Sequence, residues 1–443
     1  MAIACMQAGR AKYYEHKVRV LIVNTSEKTG GAAIAAGRLM EALNNNGVKA
    51  KMLVRDKQTD NVSVVGISRS LTTRLRFVWE RAQIYMTNGC TKNNLWAIDT
   101  GAEGVDITTL REFEEADIIH LHWVNQAFLS LRSIERILAS GKPVVWTMHD
   151  MWPSTSICHH AGDCTAYETH CHDCPLLQHP GAKDLSYKVF DRKRRLYDTN
   201  KADVRGGLAA FICCSHWLEG QARKSALLQG HDIECIPNAL DTNLFAPGDQ
   251  ADARQRLDLP LDKKLLLFGS LKVTDKRKGI DYLLDAARTL SGRYPQWTDK
   301  LGFVVMGQEA DQLKALLPFP VYSMGYVSNT HRLTTIYRAV DAFVTPSLFE
   351  NLPNTIAEAM ACGRPCVGFR VGGIPEMIHH EEDGYVAEYK DADDLARGID
   401  YVLTHPELGE AAHRYALHAY NESRVAKQHI DLYERLLQPR TRR

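Results

Sequence analysis

Short, mainly apolar runs alternate with amphipathic stretches along most of the chain. Val18–Val23, Ile118–Leu121, Val144–Met148 and Phe211–Cys214 have the length and composition of strands buried on both faces. Ala32–Asn45, Leu129–Ala139 and Tyr187–Thr199 carry apolar residues at helical spacing, the first closed by Gly47. The second half repeats the style, with strands at Lys264–Phe268, Phe303–Met306, Ala342–Thr345 and Pro365–Phe369. Helices at Ile280–Arg293 and Leu333–Ala339 fall between them. This alternation predicts an α/β protein with parallel sheets covered on both faces. Ile236–Pro260, rich in Pro, Asn, Asp and Gly, reads as a linker between two doubly wound domains, 17–236 and 237–409. The charged stretch Glu410–Arg435 predicts one or two terminal helices, 410–437, packing back toward the N-terminal domain. Residues 1–16 read as a loose extension and Thr441–Arg443 as a frayed tail.

Composition narrows the classes. The net charge of +1 over 443 residues gives no bulk attraction to nucleic acid. No apolar run approaches the roughly 18 residues of a membrane helix. Residues 1–16 contain no apolar core of signal-peptide length, and eleven cysteines argue against a purely disulfide framework. The expectation is a reduced, cytoplasmic protein.

The chemistry is densest between Ser347 and Gly363. Glu350 and Glu358 have seven residues between them, across a loop-to-helix junction that Gly363 ends. A helix N-terminus suits a phosphate, and carboxylates beside it accept hydrogen bonds from sugar hydroxyls. The stretch reads as a holder for a sugar on a diphosphate. Gly30-Gly31, after the first strand, lets backbone approach a ligand closely; a plain turn reads the same. His149 follows a strand and is placed to donate to a sugar hydroxyl or leaving phosphate, or is a satisfied structural histidine. For His120 and His122 the structural reading leads, as it does for Asn238 and Asp241 in a turn-rich crossing. Lys276, Arg277 and Lys278 follow the first strand of the second half, where cations could neutralise a diphosphate or simply be solvated.

Together these pieces resemble family 4 of the glycosyltransferases, retaining nucleotide-sugar enzymes of the GT-B fold. The resemblance runs from Val18 to about Leu437 and is most specific in the Glu-x7-Glu stretch, Cys362–Val367, Gly372-Gly373 and Pro375-Glu376. Glu-Asn-Leu-Pro-Asn with His-Asp-Met-Trp is similar to the branch that builds bacterial exopolysaccharides, such as colanic-acid transferases. The resemblance implies two Rossmann-like domains facing each other across a cleft. It implies Glu350 near the donor sugar, Glu358 on the nucleotide ribose, Lys278 on the diphosphate, Gly31 beside the reacting centre and His149 near the transferred sugar. Asn351, Leu352, Asn354 and Arg277 complete the implied donor-binding set. Two departures stand out: Ser270 where many members carry Arg, and Leu352-Pro353 where a Phe-Gly pair is usual. The implied reaction is metal-independent transfer, with retention, from a nucleoside-diphosphate sugar to a saccharide or lipid-linked saccharide, with no cofactor required. Hydrolysis by the paired carboxylates, another GT-B activity such as epimerisation, and a non-catalytic sugar-nucleotide scaffold are the rival readings.

Two features stand apart. Cys158, Cys164, Cys171 and Cys174 fall within seventeen residues, enough thiolates for a structural zinc; reduced packing cysteines and disulfides are the alternatives. Basic residues at Lys188, Arg192, Lys193, Arg194, Arg195 and Lys201, and at Arg74, Arg76 and Arg81 among Leu75, Phe77, Val78, Trp79 and Ile84, could lean on an anionic membrane surface; an ordinary helix face is the alternative.

Overall fold

The computed structural model of the protein describes residues 17–67, 71–199 and 207–438. The expected N-terminal extension, Lys201 of the basic stretch and the expected tail at Thr441 lie outside the described residues. The described residues divide into two compact units. The N-terminal unit takes Met1–Cys214, Leu218–Ile236 and Val425–Arg443; the C-terminal unit takes Ser215–Trp217 and Pro237–Arg424.

In the N-terminal unit the strands are β1 (Arg19–Ser26), β2 (Lys49–Asp56), β3 (Val64–Gly66), β4 (Ile118–Leu121), β5 (Pro143–Met148), β6 (Gly207–Cys213) and β7 (Ile233–Cys235). They lie in the order β3-β2-β1-β4-β5-β6-β7, every pairing parallel. The C-terminal unit has β8 (Lys264–Lys272), β9 (Leu301–Gln308), β10 (Val321–Gly325), β11 (Ala342–Thr345), β12 (Cys366–Phe369) and β13 (Gly384–Ala387). Their order is β10-β9-β8-β11-β12-β13, again parallel. Each sheet therefore reverses its winding once, between β1 and β4 and between β8 and β11. Crevices beyond the strand ends at such reversals are where doubly wound sheets bind ligands.

Both faces of the second sheet are dry. Leu266, Phe268, Phe303 and Val305 pack into one core; their neighbours Leu265, Leu267, Val304 and Met306 pack into the other. That alternation between two buried faces is why the strands read as continuous apolar runs. β2 escapes the same reading because exposed Lys49 and Lys51 interleave with buried Ala50 and Met52 at its start.

Two expectations gain detail. The boundary between the units falls at Ile236/Pro237, and the stretch after it is packed: Leu240, Phe245, Ala253 and Leu259 are buried in the C-terminal unit's core, around a helix at Gln250–Arg256. Buried Arg254 pins it, donating to Ala339 O at 2.8 Å and pairing with Asp341 at 2.7 Å. Pro and Asp here mark turns folded onto a core rather than an exposed hinge. The terminal segment also does not act as one body. Leu408–Tyr420 stays with the C-terminal unit, burying Ala412, Ala416 and Tyr420. In the next helix, Glu422–Leu437, the residues from Val425 onward belong to the N-terminal unit.

Tyr433 anchors that return. It is fully buried, and its hydroxyl meets His120 Nδ1 at 2.6 Å, while His120 Nε2 meets Thr147 Oγ1 at 2.7 Å. Tyr433→Phe leaves a buried imidazole nitrogen without its partner, so urea unfolding followed by far-UV circular dichroism is expected to show a loss of about 1–3 kcal/mol. Tyr326→Phe, at an exposed side chain, is expected to show none.

Candidate functional site

In the C-terminal unit three loops meet at the β8/β11 reversal. Backbone contact this close needs glycine. Gly279, with φ +72°, lies so near the loop after β11 that an added Cβ would sit 1.7 Å from Pro346 O. Gly372, with φ +57°, would place a Cβ 1.7 Å from Glu350 O. Leu348 N–H donates to Arg277 O at 2.8 Å, tying the loop after β11 to the loop after β8. The result sets Lys278 against Glu350: its ammonium hydrogen-bonds Glu350 Oε1, the lysine side chain 36% exposed and the glutamate 15%.

The helix expected after Glu350 runs Asn354–Ala361, with Pro353, which makes no capping hydrogen bond, at its N-cap. The start of this helix follows Glu350 closely in sequence, and helix starts suit anionic groups. Glu358 lies inside this helix, only 4% exposed, and accepts a 2.8 Å hydrogen bond from Tyr337 OH on Oε2. Asn354 Oδ1 accepts from Asn238 Nδ2 at 3.0 Å, and Asn351 Oδ1 from the Ser215 hydroxyl at 2.5 Å. Leu352, half-buried, packs against the core on the Glu358 side of the sheet. Glu376 caps the backbone amides of His216, at 2.7 Å, and Trp217.

Of the three cations after β8, Lys278 is the one that hydrogen-bonds a glutamate of the expected set among the described residues. Arg277 is committed to Asp275 at 2.7 Å, and Lys276 faces Asp281 at 3.7 Å. The hydrogen bond from Arg277 holds the Asp275 carboxyl below its ordinary value against the opposing effect of burial. Ser270, where a cation is usual in the resembled family, has a buried hydroxyl without a hydrogen-bond partner among the described residues. Tyr337 is invisible as a site residue in sequence. Tyr337 reads as a core aromatic, and its partner is 21 positions away.

The N-terminal unit presents Gly31 and His149 at the ends of their strands. Gly30 has φ +91°, and Gly31, exposed, opens the helix Gly31–Asn45. His149 belongs to a chain of neutral imidazoles. Its Nε2 lies 2.9 Å from His122 Nδ1, and its Nδ1 lies 3.7 Å from Cys214 Sγ. His122 Nε2 is buried without a partner, so leaving it a bare lone pair puts the proton on Nδ1, donating to His149. His149 then carries its own proton on Nδ1, toward Cys214, whose thiol donates to Met148 O. The Nε2 nitrogen of His149 is thus spent inside the protein, against His122. Asp150 beside it accepts from Trp123 Nε1 at 2.9 Å, His159 Nδ1 at 2.7 Å and Trp152 N–H at 2.8 Å.

The basic surfaces are thinner than their sequences suggest. Lys193 is wholly buried, and Arg81 is buried between Glu80 at 3.1 Å and Asp99 at 3.2 Å. Lys188, Arg192, Arg194 and Arg195 are exposed, Arg194 pairing with Asp191 at 2.6 Å. Leu75, Val78, Trp79 and Met86 of the helix Leu71–Thr87 stand at least half exposed, beside exposed Arg74 and Arg76. No helix among the described residues is long and apolar enough to cross a membrane.

The two halves match different protein-family models: residues 29–244 match Glycosyltransferase Family 4, and residues 262–405 match Glycosyl transferases group 1. A D-inositol 3-phosphate glycosyltransferase of Acidothermus cellulolyticus is 30% identical over 313 residues, 66% of this chain and 61% of that protein. The chain spans about half the length of the curated relatives it matches. Among solved structures, a sucrose-phosphate synthase of Thermosynechococcus elongatus superposes with a TM-score of 0.65 at 18% identity, covering 95% of this chain and 99% of that one. Anabaena Alr3699/HepE, solved in complex with UDP-glucose, superposes with a TM-score of 0.59 at 16% identity, covering 94% and 99%. At such identities the likeness carries the fold, which is GT-B: two Rossmann-like units with parallel sheets.

Burial sets the titration of the N-terminal unit. It lowers His149 and His429 to about 4 and drives His120 and His122 well below the ordinary histidine value. A histidine whose folded pKa lies below its unfolded value near 6.5 binds its proton only after unfolding. Its stability contribution is complete above pH 6.5 and is lost as pH falls toward the folded pKa. His159 opposes this: burial lowers it, but the charge and hydrogen bond of Asp150 win, and its contribution is lost as pH rises. Urea unfolding between pH 7 and pH 5 should therefore show stability falling toward acid, by up to about 1.4 kcal/mol per pH unit for each neutral histidine. A profile that is flat or rises toward acid contradicts the neutral chain.

Proposed function

We propose, on the premise that this GT-B chain matches Glycosyltransferase Family 4 over residues 29–244 and Glycosyl transferases group 1 over residues 262–405, that it moves a sugar from a nucleoside-diphosphate donor to a saccharide hydroxyl with retention at the anomeric carbon. The observation that carries the reading is the Lys278–Glu350 pair, whose glutamate closely precedes the helix Asn354–Ala361 in sequence. A diphosphate arriving there exchanges one anionic partner of Lys278 for another. The ammonium and the helix start stabilise the departing phosphate charge, which is where transfer needs help most. Glu350, released from Lys278, accepts from hydroxyls of the donor sugar. Glu358, oriented by Tyr337, accepts from the ribose. The phosphate's own oxygen takes the acceptor proton from the same face, through a transition state of oxocarbenium character.

The positive charge needed is supplied by Lys278 and backbone amides, so we propose transfer without a required metal ion. Gly31 and His149 serve the acceptor side. The half-exposed apolar side chains of Leu71–Thr87 beside Arg74 and Arg76 favour an acceptor carried on lipid at an anionic inner membrane face. Bacterial surface polysaccharide is the product class this reading assigns.

The test is a thermal-shift panel of UDP-, GDP- and ADP-sugars, followed by turnover with any stabilising donor in the presence and absence of EDTA. Glu350→Gln is expected to lower kcat by about 100-fold or more with nucleotide affinity nearly unchanged. Glu358→Gln is expected to weaken nucleotide binding by about 10-fold, the worth of one buried charged hydrogen bond. Failure of every nucleotide sugar to stabilise the protein, or equal loss of binding in both variants, overturns the assignment.

A further inference from the structure

A wholly buried aromatic position is filled as well by phenylalanine as by tyrosine, unless the hydroxyl has work to do. Tyr337 lies on the helix Thr330–Ala339 between two other buried rings. The centres of Phe245 and Phe343 are 6.4 Å and 6.2 Å from its own, at interplanar angles of 62° and 74°. A phenol in such surroundings costs stability unless it is hydrogen-bonded. It donates to Glu358 Oε2 at 2.8 Å, and Glu358 is a carboxylate that packing alone would not place at 4% exposure. Two polar groups in an apolar surround, each within the other's reach, mark a position chosen for more than filling space.

The ring is fixed before the hydroxyl is. Arg338, the next residue, donates to Leu244 O at 3.2 Å and Ala246 O at 2.8 Å, the two carbonyls that flank Phe245. Gly248 makes room for that side chain, since an added Cβ would sit 2.7 Å from Arg338 Cδ. Arg254 holds the helix end, donating to Ala339 O at 2.8 Å. Both clamps fall within two residues of Tyr337, so the phenol has one direction in which to point.

The other partner is equally constrained. Glu358 follows Asn354 by four residues, so the two share a face of the helix Asn354–Ala361. Helical side chains lean toward the N-terminus of their helix, which directs Glu358 toward the turn that carries Asn354. Asn354 Oδ1 is itself held by Asn238 Nδ2 at 3.0 Å. A carboxylate has roughly four lone-pair positions, so one donation from a phenol orients it without exhausting it.

We propose that Tyr337 is a positioning residue that sets the ribose specificity of the donor site, by fixing the plane of the Glu358 carboxylate against the ribose hydroxyls. The inference rests on the transfer reading, which gives Glu358 the ribose. Tyr337 touches no reacting atom and acts through Glu358. A pinned carboxylate is a rigid acceptor. A ribonucleotide satisfies it, whereas a deoxy analogue leaves a buried acceptor unpaired, and that is how a fixed polar site rejects a ligand lacking one hydroxyl. Without the phenol the carboxylate turns, and the two kinds of ligand become more alike.

Full-length protein titrated calorimetrically with UDP, GDP and ADP, and with the 2′-deoxy and 3′-deoxy counterparts of each, tests the proposal. The wild type is expected to bind its preferred diphosphate at least about 10-fold more tightly than the analogue lacking the hydroxyl that Glu358 holds. Tyr337→Phe is expected to weaken the ribonucleotide about 5- to 10-fold and to leave that deoxy analogue within about 2-fold, which narrows the gap. In turnover the loss should appear in KM for the donor more than in kcat. Added to Glu358→Gln, Tyr337→Phe should cost little further affinity, because the phenol acts through the carboxylate. Tyr326→Phe, at an exposed side chain, should change the binding of neither ligand. Equal weakening of both ligands by Tyr337→Phe means that the phenol only supports the fold, and overturns the proposal; an unchanged gap, or a wild type without one, does the same. If Tyr337→Phe does not fold, Phe245→Leu, which keeps the phenol and loosens its ring, must narrow the gap, and failure to do so is equally fatal. A wild type that binds no diphosphate overturns the transfer reading itself, whereas a gap that survives the loss of the phenol overturns this inference alone.

Discussion

The C-terminal unit depends on backbone meeting backbone where side chains have no room. At Gly279 the turn after β8 lies directly on Pro346 O, and at Gly372 the turn after β12 lies on Glu350 O. A Cβ at either position would overlap a carbonyl oxygen, and both glycines hold φ values that other residues adopt at a cost. These contacts decide where Lys278 and Glu350 sit. They also explain why a lysine and a glutamate 72 positions apart form a pair at the winding reversal of the sheet. The charges supply the chemistry, and the absent side chains supply the geometry.

The N-terminal unit is built on the opposite economy. Its interior beneath the strand ends is filled with polar rings kept neutral: His120, His122, His149 and His429, with Tyr433 and Thr147 as partners. A buried imidazole satisfied on both nitrogens is stable only in one protonation state. His120 meets that condition, whereas His122 leaves one nitrogen unpaired. The orphan nitrogen fixes the direction of the proton along the chain, and with it the face His149 turns toward Cys214.

Much of the fold was legible because parallel strands buried on both faces have a strong apolar pattern. Ala342–Thr345, Ile118–Leu121 and Ile280–Arg293 have the same bounds in pattern and in structure. The details that the pattern leaves out share a cause. Ile236–Pro260 and β2 are buried by contacts made far along the chain, while their local composition is that of a turn-rich crossing or a half-exposed strand. Position along the chain placed Glu350, Glu358 and Lys278 at a strand end or helix start. It could not tell that Arg277 would turn to Asp275, that Tyr337 would hold Glu358, or that Lys193 would be wholly buried. Each of these is a choice of partner, and partner choice is a property of the packed molecule.

The return of the chain from Val425 onward to the N-terminal unit has a consequence for biosynthesis. His120 waits for a hydroxyl 313 residues downstream. At a translation rate of roughly 5–20 residues per second, that wait is about 15–60 s. The first half of the nascent chain therefore emerges before the helix Glu422–Leu437 that completes it, and His120 stays without its partner until that helix is made. The C-terminal unit, complete by Arg424, has all its strands before that final helix exists. The domain made first is the domain finished last, and that interval is a natural point for chaperones to act.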